Sequence, residues 1–90
     1  MDTTAFEAAL IRDGYRDIET KALLGTYRAG AHSHAFDVRA LVLAGEITLT
    51  MNGAARSFTA GEVFTMEAGC SHAEAAGPDG VRYLVGRRSR

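Results

Sequence analysis

Asp37-Val38-Arg39-Ala40-Leu41-Val42-Leu43-Ala44-Gly45-Glu46-Ile47-Thr48-Leu49-Thr50-Met51-Asn52-Gly53 reads as strand, turn, strand and hairpin. From Asp37 to Ala44 the run is rich in Val and Leu and apolar on both faces after Arg39, which suits a strand covered on both sides. Ile47, Leu49 and Met51 then alternate with Glu46, Thr48 and Thr50, the period of a half-buried strand. Asn52-Gly53 follows at once; a type I′ turn needs positive φ at both central residues, and these two residue types supply it.

Outward from that stretch the same grammar continues. A return strand is expected over Ala54 to Thr59, a turn at Ala60-Gly61, and another strand over Glu62 to Met66. Gly77-Pro78-Asp79-Gly80 reads as a turn before a last strand, Val81 to Val85. Towards the N-terminus, Ile18 to Arg28 reads as extended, with a bulge or bend at Leu24-Gly25. Before it, Thr4 and Glu7 match a capping box, and Phe6, Ala9 and Leu10 share a helical face. Gly14 can close that helix in a left-handed turn. The expectation is a mainly β, antiparallel sandwich or barrel with a short N-terminal helix over about residues 3–13.

Composition bounds the function. Ninety residues fit one domain, 1–90, and ten Lys/Arg against eleven Asp/Glu give no basic face for nucleic acid. Arg87, Arg88, Ser89 and Arg90 form the dense basic cluster, read as a solvated tail. No apolar run approaches the ~20 residues of a membrane helix. The N-terminus lacks the pattern of a signal peptide, and a single cysteine, Cys70, excludes an internal disulfide framework. A cytoplasmic protein is expected. Sixteen alanines thin the bulky core, and so small a chain buries only about 60–65% of its unfolded surface. With Val38, Ala40 and Val42 pointing inwards, Leu41 and Leu43 face outwards and call for cover from another sheet or subunit, and a homodimer is expected.

The three histidines are His32, His34 and His72. Two residues apart, His32 and His34 share one face of a strand and offer two nitrogen ligands to one ion. Ala31-His32-Ser33-His34 through Gly45-Glu46, and Gly61-Glu62-Val63-Phe64-Thr65-Met66-Glu67-Ala68-Gly69-Cys70-Ser71-His72, resemble the two motifs that define the cupin superfamily. Gly61, Gly69 and His72 sit in register with the second motif. The short hairpin between the motifs is similar to that of small single-domain cupins. The resemblance implies a double-stranded β-helix, a jelly-roll barrel over about residues 17–86, often paired as a homodimer. It implies a divalent transition metal held by His32, His34 and His72.

Three positions depart from the motifs. Val38 falls where the family has its acidic ligand, Glu67 where it has proline, and Ala76 where it has asparagine. Asp37, next to Val38, would reach the site only through a bulge or a shortened turn, because adjacent strand residues face opposite ways. Three imidazoles without a carboxylate suit Zn²⁺, Ni²⁺, Cu²⁺ or Fe²⁺ better than Mn²⁺, Mg²⁺ or Ca²⁺. Cys70 is read as a small buried hydrophobe or a soft fourth ligand. Glu74 is read as an exposed strand carboxylate or an acceptor behind a ligand imidazole, and Arg39 as a surface charge. Phe36 and Tyr27 would line a small cavity or pack the core.

No catalytic residue is assigned. The expected function is a metal site with open positions for a small organic ligand or O₂, with dioxygenase or isomerase chemistry one outcome. A non-catalytic small-ligand sensor and a dimeric structural barrel with an empty site are the alternatives. Apart from Asp37, Glu74 and Cys70, nothing near the histidines moves a proton at neutral pH.

Overall fold

The computed structural model describes residues 1–89; Arg90, at the end of the basic cluster, lies outside them. Helix α1 (Thr4–Arg12) precedes six strands: β1 (Arg16–Leu23), β2 (Arg28–His32), β3 (Phe36–Met51), β4 (Ala54–Thr59), β5 (Val63–Met66) and β6 (His72–Ser89). β3 and β6 are the long ones, and they run antiparallel along their whole length, from Phe36 opposite Ser89 to Met51 opposite His72. Each changes its other neighbour partway. β6 pairs with β1 over Val81–Arg87 and with β2 over His72–Ala75. β3 pairs with β5 over Val38–Leu41 and with β4 over Glu46–Met51. The result is two four-stranded layers, β1-β6-β3-β5 and β2-β6-β3-β4, that share the two long strands.

The layers are hinged at Gly45 and residues 77–80. Gly45 pairs with Val81 and Ile47 with Ala76, so four residues of β6 stand opposite Glu46 alone. Gly45 has φ +77°, and a Cβ there would overlap the carbonyl oxygen of Gly80. Only glycine fits both demands. The two strands expected on either side of Gly45 are therefore one bent strand. The Gly-Pro-Asp-Gly segment does not reverse the chain as expected, but bulges within a strand that begins at His72. At the other end of β3, Asn52 (φ +53°) and Gly53 (φ +78°) make the expected hairpin.

Between the layers lies one apolar cluster that includes Val42, Phe64 and Tyr83 from one sheet and Ile47, Leu49 and Phe58 from the other. The outer face of the first layer is covered by the chain itself. There Leu41 lies opposite Leu84 and Arg39 opposite Gly86; Leu10 and Tyr15 pack on Gly86, which has no side chain to obstruct them. Leu41 is buried within the chain itself, and Leu43 is half-buried.

An ionic clasp fastens α1 to this face. Arg39 is not a bare surface charge: it pairs with Asp13 at 2.7 Å, and its guanidinium lies over the Tyr15 ring. Arg88 lies over Tyr15 as well, bonds the Asp13 carbonyl at 3.0 Å, and donates to Asp37 from Nε (3.1 Å) and Nη2 (2.9 Å). The expected basic tail is thus part of β6. The α1 start also differs from the capping box: Thr3 Oγ1 meets Glu7 Oε2 at 2.9 Å, while Asp2 accepts from the Thr4 N–H.

Gly45→Ala should cost ~2–4 kcal/mol, from left-handed strain plus overlap with the Gly80 carbonyl. Gly53→Ala, with open space around it, should cost only the ~1–2 kcal/mol of strain. Urea denaturation of both variants checks this; equal losses would remove the hinge from the account.

Candidate metal centre

His72 opens β6 and lies opposite His32, the last residue of β2. That pairing needs a slip. Ala29 faces Glu74, so an unbroken ladder would set His32 against Ser71 and turn it to the other face of the sheet. The register shift between Ala29 and His32 adds one residue and brings His32 opposite His72. The slip also lets Gly30 hold the ring: His32 Nδ1 lies 2.7 Å from the Gly30 carbonyl. Glu74, two residues beyond His72 on β6, falls on the same face by strand alternation.

His34 comes from the connection between β2 and β3. Its carbonyl accepts from the Gly69 N–H at 2.8 Å, tying that connection to the loop before His72. Its ring stacks on Phe36 with centroids 4.9 Å apart. The three imidazole centroids lie 4.3–5.1 Å from one another.

One ligand atom from each of His32, His34, His72 and Glu74 lies within 4.8 Å of the others. Donors around one ion at about 2.1 Å stand about 3–4 Å apart, so the set is close to that spacing. Glu74 Oε2 is 3.2 Å from His32 Nε2 and 3.3 Å from His72 Nε2. Its side chain is only 10% exposed, so the expected exposed carboxylate is instead a member of the site.

The hydrogen bonds set the chemistry. His72 Nδ1 lies 3.0 Å from the Cys70 carbonyl. In each neutral ring of His32 and His72 the Nδ1–H donates to a backbone carbonyl, which leaves Nε2 as a lone pair. His72 is 1% exposed, and its Nε2 has no hydrogen-bond partner among the described residues, despite the nearby carboxylate. With both rings neutral, two imidazole lone pairs face a carboxylate oxygen, three acceptors with no donor between them. A single divalent cation satisfies all three at once, so the residues fit a metal. Burial first, then the neighbouring His72 and His32, lowers the His34 pKa and favours the neutral ligand form.

The remaining candidates lie elsewhere. Asp37 is on the opposite face, as strand alternation requires: it is 2% exposed, bound by Arg88, and accepts the Ala68 N–H at 2.9 Å. Val38 lines the cavity beside the histidines. Cys70 is half-buried with Sγ 3.7 Å from Met51 Sδ, outside the ligand cluster. The acid comes from β6 rather than β3. Because it restores an oxygen donor, the case against harder ions such as Mn²⁺ no longer holds. The i, i+2 spacing of His72 and Glu74 was the signal for it.

Beside the centre lies a cavity of about 160 Å³. Tyr27 and Phe36 line it as expected, together with Lys21, Tyr83 and Arg87. Tyr83 is pushed up to about 12, chiefly by burial and then by the Glu74 charge, and Tyr27 is raised for the same two reasons. Both stay protonated at neutral pH. Among the described residues no helix is long and apolar enough to cross a membrane.

Comparison of the sequence with family models and with curated proteins finds no match. The fold does match solved structures. A conserved protein of unknown function from Streptococcus pyogenes superposes with a TM-score of 0.72 at 23% identity, over 81% of this chain and 63% of that one. A cupin superfamily protein from Desulfitobacterium hafniense gives 0.71 at 19% identity, over 81% and 66%. Bacillus subtilis oxalate decarboxylase, described with Mn(II) centres, gives 0.71 at 18%, over 80% of this chain and 20% of that one. The chain thus spans just under two thirds of the first two proteins. Two layers sharing two long bent strands, with these structural neighbours, give the chain the double-stranded β-helix fold of the cupin superfamily.

Proposed function

We propose that this chain binds one divalent transition metal through His32, His34, His72 and Glu74, and presents it to a small organic ligand in the adjoining cavity. The observation that carries the reading is the buried, unpartnered His72 Nε2 facing Glu74. Zinc, nickel, iron, copper and manganese all suit three imidazoles and one carboxylate. A bound ion of this kind supplies Lewis-acid polarisation of a carbonyl or carboxylate. The protein supplies orientation: the Gly30 and Cys70 carbonyls fix two rings, and the apolar walls limit water. The Tyr27 and Tyr83 hydroxyls act as donors, since burial keeps both from ionising.

Dioxygenase or isomerase chemistry and non-catalytic sensing share this site, and O₂ is an alternative occupant of the open positions. Elemental analysis of protein purified without chelator should find one equivalent of metal. His72→Ala should abolish it, and Glu74→Gln should weaken affinity at least about tenfold. Full retention by His72→Ala would sink the site.

The pH dependence follows from His34. Its folded pKa is below the ordinary 6.5, so the unfolded chain takes up this proton first as pH falls. Its contribution is intact above about 6.5, and the metal-free fold loses stability as pH drops through that value. Melting curves from pH 7.5 to 5.5 should show the loss, and His34→Gln should reduce it; an unchanged slope in the variant would contradict the assignment.

We also infer a homodimer in a reducing, cytoplasmic setting, from the alanine-rich core, the exposed Ile11, Leu24 and Val63, and the free Cys70 thiol. Light scattering should give twice the mass of one chain; a monomer at all concentrations would reject the dimer.

A further inference from the structure

The cavity beside the metal centre carries more positive charge than the site needs. Lys21 lines it, half-buried, and its ammonium makes no hydrogen bond or ion pair to any described residue. Arg87 lines it two strand positions beyond Val85, on the same inward face, over the Phe36 ring with 5.5 Å to the centroid. Its one carboxylate neighbour is Glu19 at 3.5 Å, a half-exposed pair at the rim. The Tyr83 hydroxyl makes no hydrogen bond to a described residue, although the side chain is only 7% exposed. Away from the proposed metal ligands His32, His34 and Glu74, the cavity thus offers donors: an ammonium, a guanidinium and phenols. Glu74 is the one carboxylate lining it, and it faces the histidines.

We infer that the small ligand of this site is a short-chain organic carboxylate, its anionic group bound at the metal and drawn in by the Lys21 and Arg87 charges on the cavity wall. The inference rests on the metal-binding reading above. Charge decides the headgroup. With a divalent ion against Glu74, the centre carries a net positive charge, and Lys21 and Arg87 add two more, offset at the rim by Glu19 alone. Volume limits the tail: the cavity is only about 160 Å³. Leu23, Val38, Phe64 and Met66 make the walls apolar. A phosphate or sulfate would satisfy the cations but leave those walls against water.

The test uses the full chain loaded with Co²⁺, whose visible spectrum reports coordination, titrated with butyrate and with its neutral isostere butyramide. Butyrate should change the spectrum saturably, with butyramide at least about tenfold weaker. Lys21→Met and Arg87→Gln should each weaken butyrate about fivefold or more, leave butyramide unaffected, and retain one equivalent of cobalt. Equal binding of acid and amide, no binding of butyrate, or a preference that survives both substitutions would overturn the inference while the metal site stands. Loss of cobalt from either variant would place that residue at the metal and also overturn it. Failure of the unsubstituted chain to take up cobalt would overturn the metal reading, and the inference with it.

Discussion

The antiparallel ladder between β3 and β6 is the constraint on which the rest of this structure depends. Every other strand pairs with one of these two, and both layers of the barrel are built by bending them together. The bend is possible because Gly45 adopts φ +77° where the Gly80 carbonyl leaves no room for a side chain. A bulge of four residues on β6 takes up the difference in path length. The long-range ladder fixes the inward column Val38, Ala40 and Val42 against Arg87, Val85 and Tyr83. The core and the cavity wall are therefore set by the same register.

The candidate metal centre uses that frame and adds one local irregularity. Strand alternation alone puts His72 and Glu74 side by side, but leaves His32 on the wrong face. One extra residue in β2 corrects the face, and the Gly30 carbonyl exposed by it orients the ring. The outer clasp holds the same region from behind. Asp37 accepts the Ala68 N–H and two guanidinium donors of Arg88, joining the loop before His72 to β3 and β6. An adjacent pair of residues, Asp37 and Val38, thus divides the work: the acid braces the scaffold outside and the valine walls the cavity inside.

Much of this was legible in the residues. The alternation from Ile47 to Met51 and the Asn52-Gly53 turn gave their strands and hairpin directly, because period-2 patterning and positive φ leave few alternatives. The three histidines could be grouped by their match to family motifs. What local patterning could not reveal was long-range register. Gly77 to Gly80 has the composition of a chain reversal, yet pairing with β3 on both sides keeps it within one strand. Arg87 and Arg88 have the composition of a solvated end, but Phe36, Asp37 and Tyr15 await them across the sheet. Glu74 was placed correctly on the histidine face by alternation. Its burial was not, since that depends on β2 lying alongside.

The central claim is that a carboxylate from β6, two residues past the last histidine, completes a three-histidine centre. The most direct measurement is a crystal structure of the zinc-loaded chain with anomalous scattering to locate the ion. The account predicts zinc bound by Nε2 of His32 and His72, a ring nitrogen of His34 and a Glu74 carboxylate oxygen, each at about 2.0–2.2 Å. Zinc held without Glu74, or located away from the histidines, would contradict it.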